Sequence, residues 1–547
     1  MFQFSTTHII IMMLAFYGIT FLLTLRIGKK HENVDGFMVA SGSIGFGLSA
    51  ASMTATWVWA ASFYAAASSA YQYGLSGALH YGLWGGLMIL FIYPFGRRFR
   101  KLAPHAHTLA EIMHARHGST SQMILAGSNI IGSVISLMVN FTAAGVLVDI
   151  LSPLSFTHGV LMAGLGVLSY TLWSGFRASV FTDYAQLMAM IVAAVVIIPT
   201  IFFTLGGPQL FEVGMINLSV EQASFFSKTA ILEQGAPFFV AVLAYAIGNQ
   251  TIAQRLFAVR EDLIKASFIT ATIGYIAIVI GLGMLGLLAL LAGIPLIGGD
   301  SNNLIPQMAA TYLPAYMVVM LFIMVIGSLS STADSDLSAL AAIVMTDIYG
   351  KHLGKKAPNP NKMLWIGRFT MVCAALLGML LASLKLNILA MLIFVGALWG
   401  AIVFPVIASL YWPRVTRTAF NVAVGAAFVS FLIARFTDIA QSGLMALTFE
   451  TFAAIGGAVV IGLMSFGFLG LRLGFILGII TAIILLPLSI GFLREYTVLL
   501  SSLTAYGVSA IVCTLMSLCH KKPDFDFSHI NRQVVAFQDT DTPKEPT

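Results

Sequence analysis

Residues 328–349 read Ser328-Leu-Ser330-Ser331-Thr332-Ala-Asp334-Ser335-Asp336-Leu-Ser338-Ala-Leu-Ala-Ala-Ile-Val-Met-Thr-Asp347-Ile-Tyr349. Six hydroxyls and two carboxylates fall between Ser328 and Ser338, inside one of the most apolar stretches of the chain. Read as a helix ending near Asp347, the segment places Asp336 roughly 16 Å below that polar end at about 1.5 Å per residue, near the middle of a bilayer. Polar groups at that depth cost insertion free energy, so an ionisable side chain there is first read as functional. Two readings stay open: a polar helix lining a crevice, or a cation path, since hard cations prefer oxygen ligands.

The rest of the composition supports membrane burial. Hydrophobic residues make up 59% of the 547 residues, charged residues 9%, and the mean hydropathy is +0.92; soluble domains carry about 25% charge. Apolar windows of spanning length number about fifteen, the first centred on residues 8–26 and the last on 496–518. The expected fold is therefore an all-α polytopic membrane protein, with the lipid bilayer as its surroundings.

Basic residues test the count, because they should fall in every second loop. Arg26 to Lys30, Arg97 to Lys101, Arg177, Arg255 to Lys265, Lys351 to Lys362, Arg414 to Arg417, Arg472 and Lys521-Lys522 follow the odd-numbered spans. The loops between, such as Ser152 to Thr157 and Gly298 to Asn303, carry few. The positive-inside rule then places the N-terminus outside and the C-terminus in the cytoplasm. The net charge of +6 is accounted for by these loops and calls for no nucleic-acid partner.

Cys373, Cys513 and Cys519 show no metal spacing and no disulfide framework. The first apolar segment lacks a preceding basic region and a small-residue cleavage site, so it is expected to be a retained helix. Residues 520–547 are polar and aperiodic and are expected to form a disordered cytoplasmic tail.

Two blocks of five spans, about 45–205 and about 236–412, are similar in length and start on opposite sides of the membrane, the pattern left by inverted repeats. Each opens with an interrupted helix. Gly45 to Tyr71 holds Ser49, Ser52, Thr54, Thr56, Ser62, Ser68 and Ser69, and Ala236 to Ala258 contains Gly248-Asn249-Gln250-Thr251. Polar breaks in membrane helices are tolerated where they line protein or water, so both point to a binding site. The expected organisation is an accessory helix over 1–36, repeat one over 37–210, repeat two over 235–413, accessory helices over 414–519, and the tail.

Four motifs, which agree with the family in their order along the chain, resemble the sodium:solute symporter family over about 37–430. They are the Ser/Thr helix closing on Asp347-Ile-Tyr349, Thr182-Asp183-Tyr-Ala-Gln186 after Ser174-Gly175, Asn249-Gln250 with Gln254-Arg255, and Leu410-Tyr411-Trp412-Pro413-Arg414. Within the family, Trp57-Val-Trp59-Ala-Ala61, Tyr71-Gln-Tyr73-Gly74-Leu-Ser76-Gly77, Ala103-Pro104-His105-Ala-His107-Thr108 and Asp336-Leu337 look like the urea active transporters. Asn249-Gln250-Thr251 is nearer to the general family pattern, which keeps proline, another amino acid or an organic acid open as cargo.

The resemblance implies a LeuT-like five-plus-five inverted-repeat core and a Na+ site between the two repeats. Matched residue by residue, it places the hydroxyls of Ser331 and Thr332 and the carbonyl of Ser328 opposite the carbonyls of Ser52 and Ala55. The chemistry agrees, because a broken helix leaves carbonyls that can replace the hydration shell of an ion; alternatively, Ser331 and Thr332 bond back to their own helix. The resemblance also sets Asp183 on the ion's inward route, whereas its place near a helix start allows a capping role. Asp336 shares a helix face with Thr332 and is read as a second cation or proton site, or else as a partner for Arg255 or Arg368.

Trp57, Trp59, Asn249 and Gln250 are the candidate solute residues, because a small planar amide needs polar partners at its edge and flat apolar walls at its faces. Aromatic packing is the plainer reading of the Trp pair. His105, His107, His114 and His117 crowd one loop and are expected to be solvated rather than metal-ligating. Gly74-Leu-Ser76-Gly77 also resembles the motif of intramembrane serine proteases, which require a histidine base from another helix. These readings converge on a secondary symporter, not an enzyme, expected in a bacterial inner membrane. It takes no cofactor, uses Na+ as coupling ion with H+ as the alternative, and carries urea or a similarly small polar solute.

Overall fold

The computed structural model describes residues 1–27, 34–353, 359–519 and 524–534. An outer helix, α1 (Thr6–Ile27), is followed by the short α2 (Val34–Val39). The first interrupted helix is α3 (Phe46–Trp57) and α4 (Ala60–Tyr73), and the next span is α5 (Leu75–Leu90) running into α6 (Ile92–Leu102). After the short α7 (Leu109–His117) come α8 (Ser119–Leu151) and α9 (Phe156–Thr204). The connection after α9 carries α10 (Pro208–Gly214) and α11 (Lys228–Ala230) and leads to the second interrupted helix, α12 (Ala236–Gly248) and α13 (Gln250–Ala258). The core closes with α14 (Ile264–Leu291), α15 (Leu304–Tyr312), α16 (Ala315–Ile343), α17 (Pro360–Ala382) and α18 (Ile388–Tyr411). Beyond it lie α19 (Arg417–Phe436), α20 (Gly443–Leu469), α21 (Leu471–Ser489), α22 (Thr497–Leu518) and the short α23 (Ser528–Gln533).

Thirteen of these helices are long and apolar enough to cross a membrane. The two further spans of the sequence reading are the α3/α4 pair, divided into pieces too short to span, and the first limb of α9, which precedes the break at Gly175. α9 is divided at Gly175, whose φ of +55° is costly for any residue with a Cβ. A Cβ there would also lie 2.7 Å from the Phe37 ring.

Burial separates core from periphery. The most apolar window of α8 is 83% buried and that of α21 only 6%. α8, α9 and α16 pack on one another around the polar stretch at 328–338, while α20 and α21 form a peripheral hairpin whose apolar side chains face outward. α14 comes close enough to α4 that a Cβ on Gly286 would lie 1.9 Å from the Ala67 carbonyl oxygen, so only glycine allows this approach.

Two expectations need correction. Residues 524–534, within the stretch expected to be a disordered tail, are docked: Ile530 and Val534 are buried, the Phe525 N–H donates to the Pro413 carbonyl, and the Phe525 ring lies 4.0 Å from the Arg116 guanidinium. Residues 520–523 and 535–547 lie outside the described residues. Arg255, counted among the loop cations, is buried inside the bundle on α13.

Candidate cation and solute site

The break between α3 and α4 sits at Val58 (φ −80°, ψ 57°) and Trp59 (φ −75°, ψ 160°). It frees carbonyls that no helical amide takes up, and hydroxyls supply the missing donors. The Thr332 hydroxyl donates to the Thr56 carbonyl at 2.7 Å, Ser62 to the Trp57 carbonyl at 3.1 Å, and Ser328 to the Val58 carbonyl. The polar face of α16 therefore meets the end of α3. The hydroxyl contacts fall on Thr56 and Val58, just beyond Ser52 and Ala55, which are both buried on α3.

Ser331 and Ser52 converge on Asp183, each donating to its carboxylate at 2.5 Å. Asp183 is fully buried on the second limb of α9. A third partner arrives from α13: Nη2 of Arg255 lies 3.0 Å from the same carboxylate and 2.8 Å from the Ser335 hydroxyl, with contacts also to Ser52 and Thr56. The guanidinium stands 5.3 Å from the Phe176 ring. Every contact drawn to Asp183 comes from a side chain, so it does not cap its helix. Buried pairs of this kind hold only when their remaining lone pairs and protons are satisfied, and here hydroxyls of α3 and α16 do that.

Asp334 and Asp336, two residues apart on a helix, point to different neighbours. Asp336 accepts from Ser136 on α8 at 2.5 Å. The partner foreseen for it, Arg255, is taken by Asp183, and Arg368 donates to the Leu172 carbonyl. Asp334, not singled out from the sequence, accepts from Tyr170 and Ser179 at 2.6 Å each, and Ser179 lies 3.0 Å from Ser335. It was findable, because Asp334 stands three residues after Ser331 and four after Ser330 and so shares their helix face.

Next to the α3/α4 break is a small cavity of about 10 Å³. Trp57 and Trp59 line it, their rings 6.5 Å apart at 24°. Tyr81 of α5, Tyr245 of α12 and Tyr275 of α14 complete the aromatic wall, with Ser62 as the other polar contributor. Among the described residues, none that lines it is charged. Trp57 Nε1 donates to the Gly85 carbonyl at 3.1 Å, Ser62 lies 3.2 Å from the Tyr275 hydroxyl, and Tyr245 donates to the Leu392 carbonyl at 2.7 Å. At this volume the space accommodates about one water, so a solute enters only when the walls move apart.

Asn249 and Gln250 do not reach this cavity. The Asn249 side chain caps α13 by accepting from the Thr251 N–H at 2.8 Å, and Gln250 donates to the His107 carbonyl at 2.9 Å. From α12, Phe238 and Tyr245, the latter one turn before Asn249, face this cavity. The histidine loop also departs from expectation: His107 and His117 are buried rather than solvated. Burial alone would lower the His107 pKa, but Asp35 at 2.6 Å and Glu111 at 3.4 Å raise it to about 9.

With this geometry in place, comparison with known proteins is informative. The sodium:solute symporter family model matches residues 37–425, well over half of the chain. The chain belongs to the sodium:solute symporter family. This symporter is 22% identical over 80% of its length to probable urea active transporter 1 of Schizosaccharomyces pombe, spanning 71% of that protein. It is 24% identical to the urea-proton symporter DUR3 of Oryza sativa subsp. japonica, over 73% of this chain and 61% of that one. To the sodium/pantothenate symporter of Escherichia coli K12 it is 25% identical, over 74% and 86%.

Among solved structures, the symporter superimposes on a Na+-coupled sialic acid symporter in a substrate-bound, outward-open state. The TM-score is 0.66 at 17% identity, over 86% of this chain and 97% of that one. The nucleobase-cation-symport-1 transporter Mhp1 matches with a TM-score of 0.52 at 13% identity, over 88% and 100%. The fold is thus LeuT-like, with further helices at both ends. The curated relatives are transporters, which sets aside the protease alternative; consistent with that, Ser76 donates to the Ser224 carbonyl at 2.8 Å rather than to a histidine.

Proposed function

We infer that this symporter couples inward Na+ flux to the uptake of urea or a comparably small, neutral, polar solute. The observation that carries the cargo reading is the uncharged aromatic cavity beside the α3/α4 break, bounded by Trp57, Trp59 and three tyrosines. A carboxylate cargo such as proline or an organic acid would need a cationic partner there, and Arg255, the cation of this region, is engaged by Asp183. Urea instead asks for flat walls and neutral donors and acceptors, which indole, phenol, Ser62 and backbone carbonyls offer. The names of two relatives, a urea active transporter and a urea-proton symporter, point the same way.

For Na+, the proposed ligands are the hydroxyls of Ser331 and Thr332 and the carbonyls of Ser52, Ala55 and Ser328, with the next carbonyls of α3, Thr56 and Val58, close enough to exchange with them. Asp183 is proposed to receive the ion on its inward path, and Asp336 to act as a second cation or proton site. The repeats are taken as 37–210 and 235–413, with the C-terminus cytoplasmic. Binding of Na+ at the α3/α16 contact would hold the two repeats together and shape the neighbouring cavity, so Na+ and solute should raise each other's affinity equally.

The test is uptake of labelled urea into proteoliposomes under an inward Na+ or H+ gradient, beside a Ser331→Ala/Thr332→Ala variant. Na+-stimulated uptake that the variant loses supports cargo and coupling together. Uptake driven by H+ alone replaces the coupling ion, and no urea uptake under either gradient rejects the cargo.

A further inference from the structure

A second concavity, a groove of about 870 Å³, begins at Leu90, two residues along α5 from Met88 of the aromatic cavity. Its polar rim carries Arg97, Arg98 and Lys101 from α6, Lys265 from the start of α14, and a single acid, Glu261. Among the described residues, no ion pair is drawn to Lys101 or Lys265, and both are exposed. Arg98 is partly committed, donating to the Leu410 carbonyl at 3.2 Å, and Arg97 leans on Tyr93. The other wall is apolar: Leu90 from α5, Ile269 one turn into α14 from Lys265, and Phe468 at the end of α20.

The geometry points to a binding site for an anionic diacyl phospholipid of the cytoplasmic leaflet. Its phosphodiester would sit among Arg97, Lys101 and Lys265, and an acyl chain would lie along Leu90, Ile269 and Phe468. Four cations facing one carboxylate give an excess of positive charge suited to a phosphate, and basic clusters at the cytoplasmic interface attract anionic lipids. The separation also suits a lipid, because Lys265 and Ile269 stand about 6 Å apart along one helix, roughly the step from headgroup to upper acyl chain. The groove borders the peripheral α20/α21 hairpin, where Phe468 and Leu469 are exposed and the most apolar window of α21 is only 6% buried, so it opens toward the bilayer. A soluble anion would leave the apolar wall uncovered.

The lipid would brace moving parts. α6 is tied to α13, which carries Arg255, by Arg100 donating to the Phe257 carbonyl at 2.5 Å. A lipid spanning α6 and α14 therefore stabilises the packing beneath the Asp183 and Arg255 cluster. The side of the membrane follows from the basic loops, whereas the cargo reading plays no part.

Purified full-length protein in detergent is probed by native mass spectrometry with phosphatidylglycerol and, separately, phosphatidylcholine, alongside thermal unfolding with each lipid and with inorganic phosphate. The wild type is expected to retain phosphatidylglycerol over phosphatidylcholine and to unfold at a higher temperature with it. In an Arg97→Gln/Lys101→Gln/Lys265→Gln variant that retention should fall about tenfold, the loss of about 1.4 kcal/mol. Glu261→Gln should raise it, and this arm decides the matter if the triple variant does not fold. Equal retention of both lipids, retention unchanged in a folded triple variant, or Glu261→Gln without effect overturns the site. Inorganic phosphate stabilising as well as phosphatidylglycerol makes it a free-anion site and overturns the lipid assignment.

Discussion

The two interrupted helices are broken alike but expose opposite chemistry. At the α3/α4 break the backbone carbonyls of Thr56, Trp57 and Val58 turn toward hydroxyls of Thr332, Ser62 and Ser328. The α12/α13 break at Asn249 is closed by that residue's own side chain, and the half-helix beyond it delivers a fixed cation, Arg255, into the bundle. One break thus presents neutral oxygens that a mobile ion can share. The other brings a tethered ion to the carboxylate beside them. The comparison teaches that a polar interruption marks a site without revealing what the site binds, because that depends on which helices the freed groups meet.

The largest effect expected from disturbing this contrast is at the tethered ion. Arg255→Ala leaves Asp183 buried and charged without its partner, a cost of about 3–5 kcal/mol, and thermal unfolding in detergent should show it as a large drop in midpoint. Asp183→Asn/Arg255→Gln should recover much of that loss. A double variant no better than Arg255→Ala would mean that the pair is not one unit.

At the first break, Thr332→Ala removes the donor to the Thr56 carbonyl and one proposed ligand of the ion. Half-saturating Na+ for uptake should rise about tenfold, while Thr332→Ser stays near wild type. An equal response from the two variants would show that the hydroxyl is not what matters. Asn249→Ala, which removes the cap of α13, should lower stability by about 1 kcal/mol and leave Na+ dependence unchanged. If it shifted the Na+ response instead, the two breaks would be less separate than their geometry implies.

The smallest effect concerns the loop under α13. The pKa of His107 stands above its ordinary value, at about 9. Its contribution to stability is therefore fully present below its unfolded pKa of about 6.5 and lost as the pH rises through about 9. In His107→Gln the decline in unfolding midpoint between those limits should flatten. A decline as steep as in the wild type would assign it to other groups.

Much of the architecture was legible in the chain. Bilayer spans announce themselves because every backbone group in lipid must bond within its own helix, so a span is a long local apolar run. The polar stretch at 328–338, both broken helices and the alternation of basic loops were readable for the same reason. Trp57 and Trp59 also proved to line the cavity. Less legible was anything that depends on partners distant in sequence. Arg255 looked like a loop cation because a buried arginine is revealed only by a carboxylate 72 residues away. That the Asn249 amide caps α13 and the Gln250 amide meets the His107 carbonyl was not legible, because a cap and a ligand use the same amide. The docking of residues 524–534 was hidden because a polar segment can be held by a few contacts, such as Phe525 against Arg116, that its composition does not suggest.

The amino-acid sequence alone determined that this protein spans a membrane many times, that two of its helices are broken at polar residues, and that oxygen-bearing side chains gather inside one of its most apolar stretches. Each follows from local hydropathy and spacing along single helices. Tertiary structure alone decided that Asp183 receives Ser52, Ser331 and Arg255 together, that Asp334 and Asp336 serve different neighbours, and that aromatic residues from four helices and the α3/α4 break line one cavity. Those outcomes depend on which helix faces meet, and that is set by packing between segments far apart in the chain.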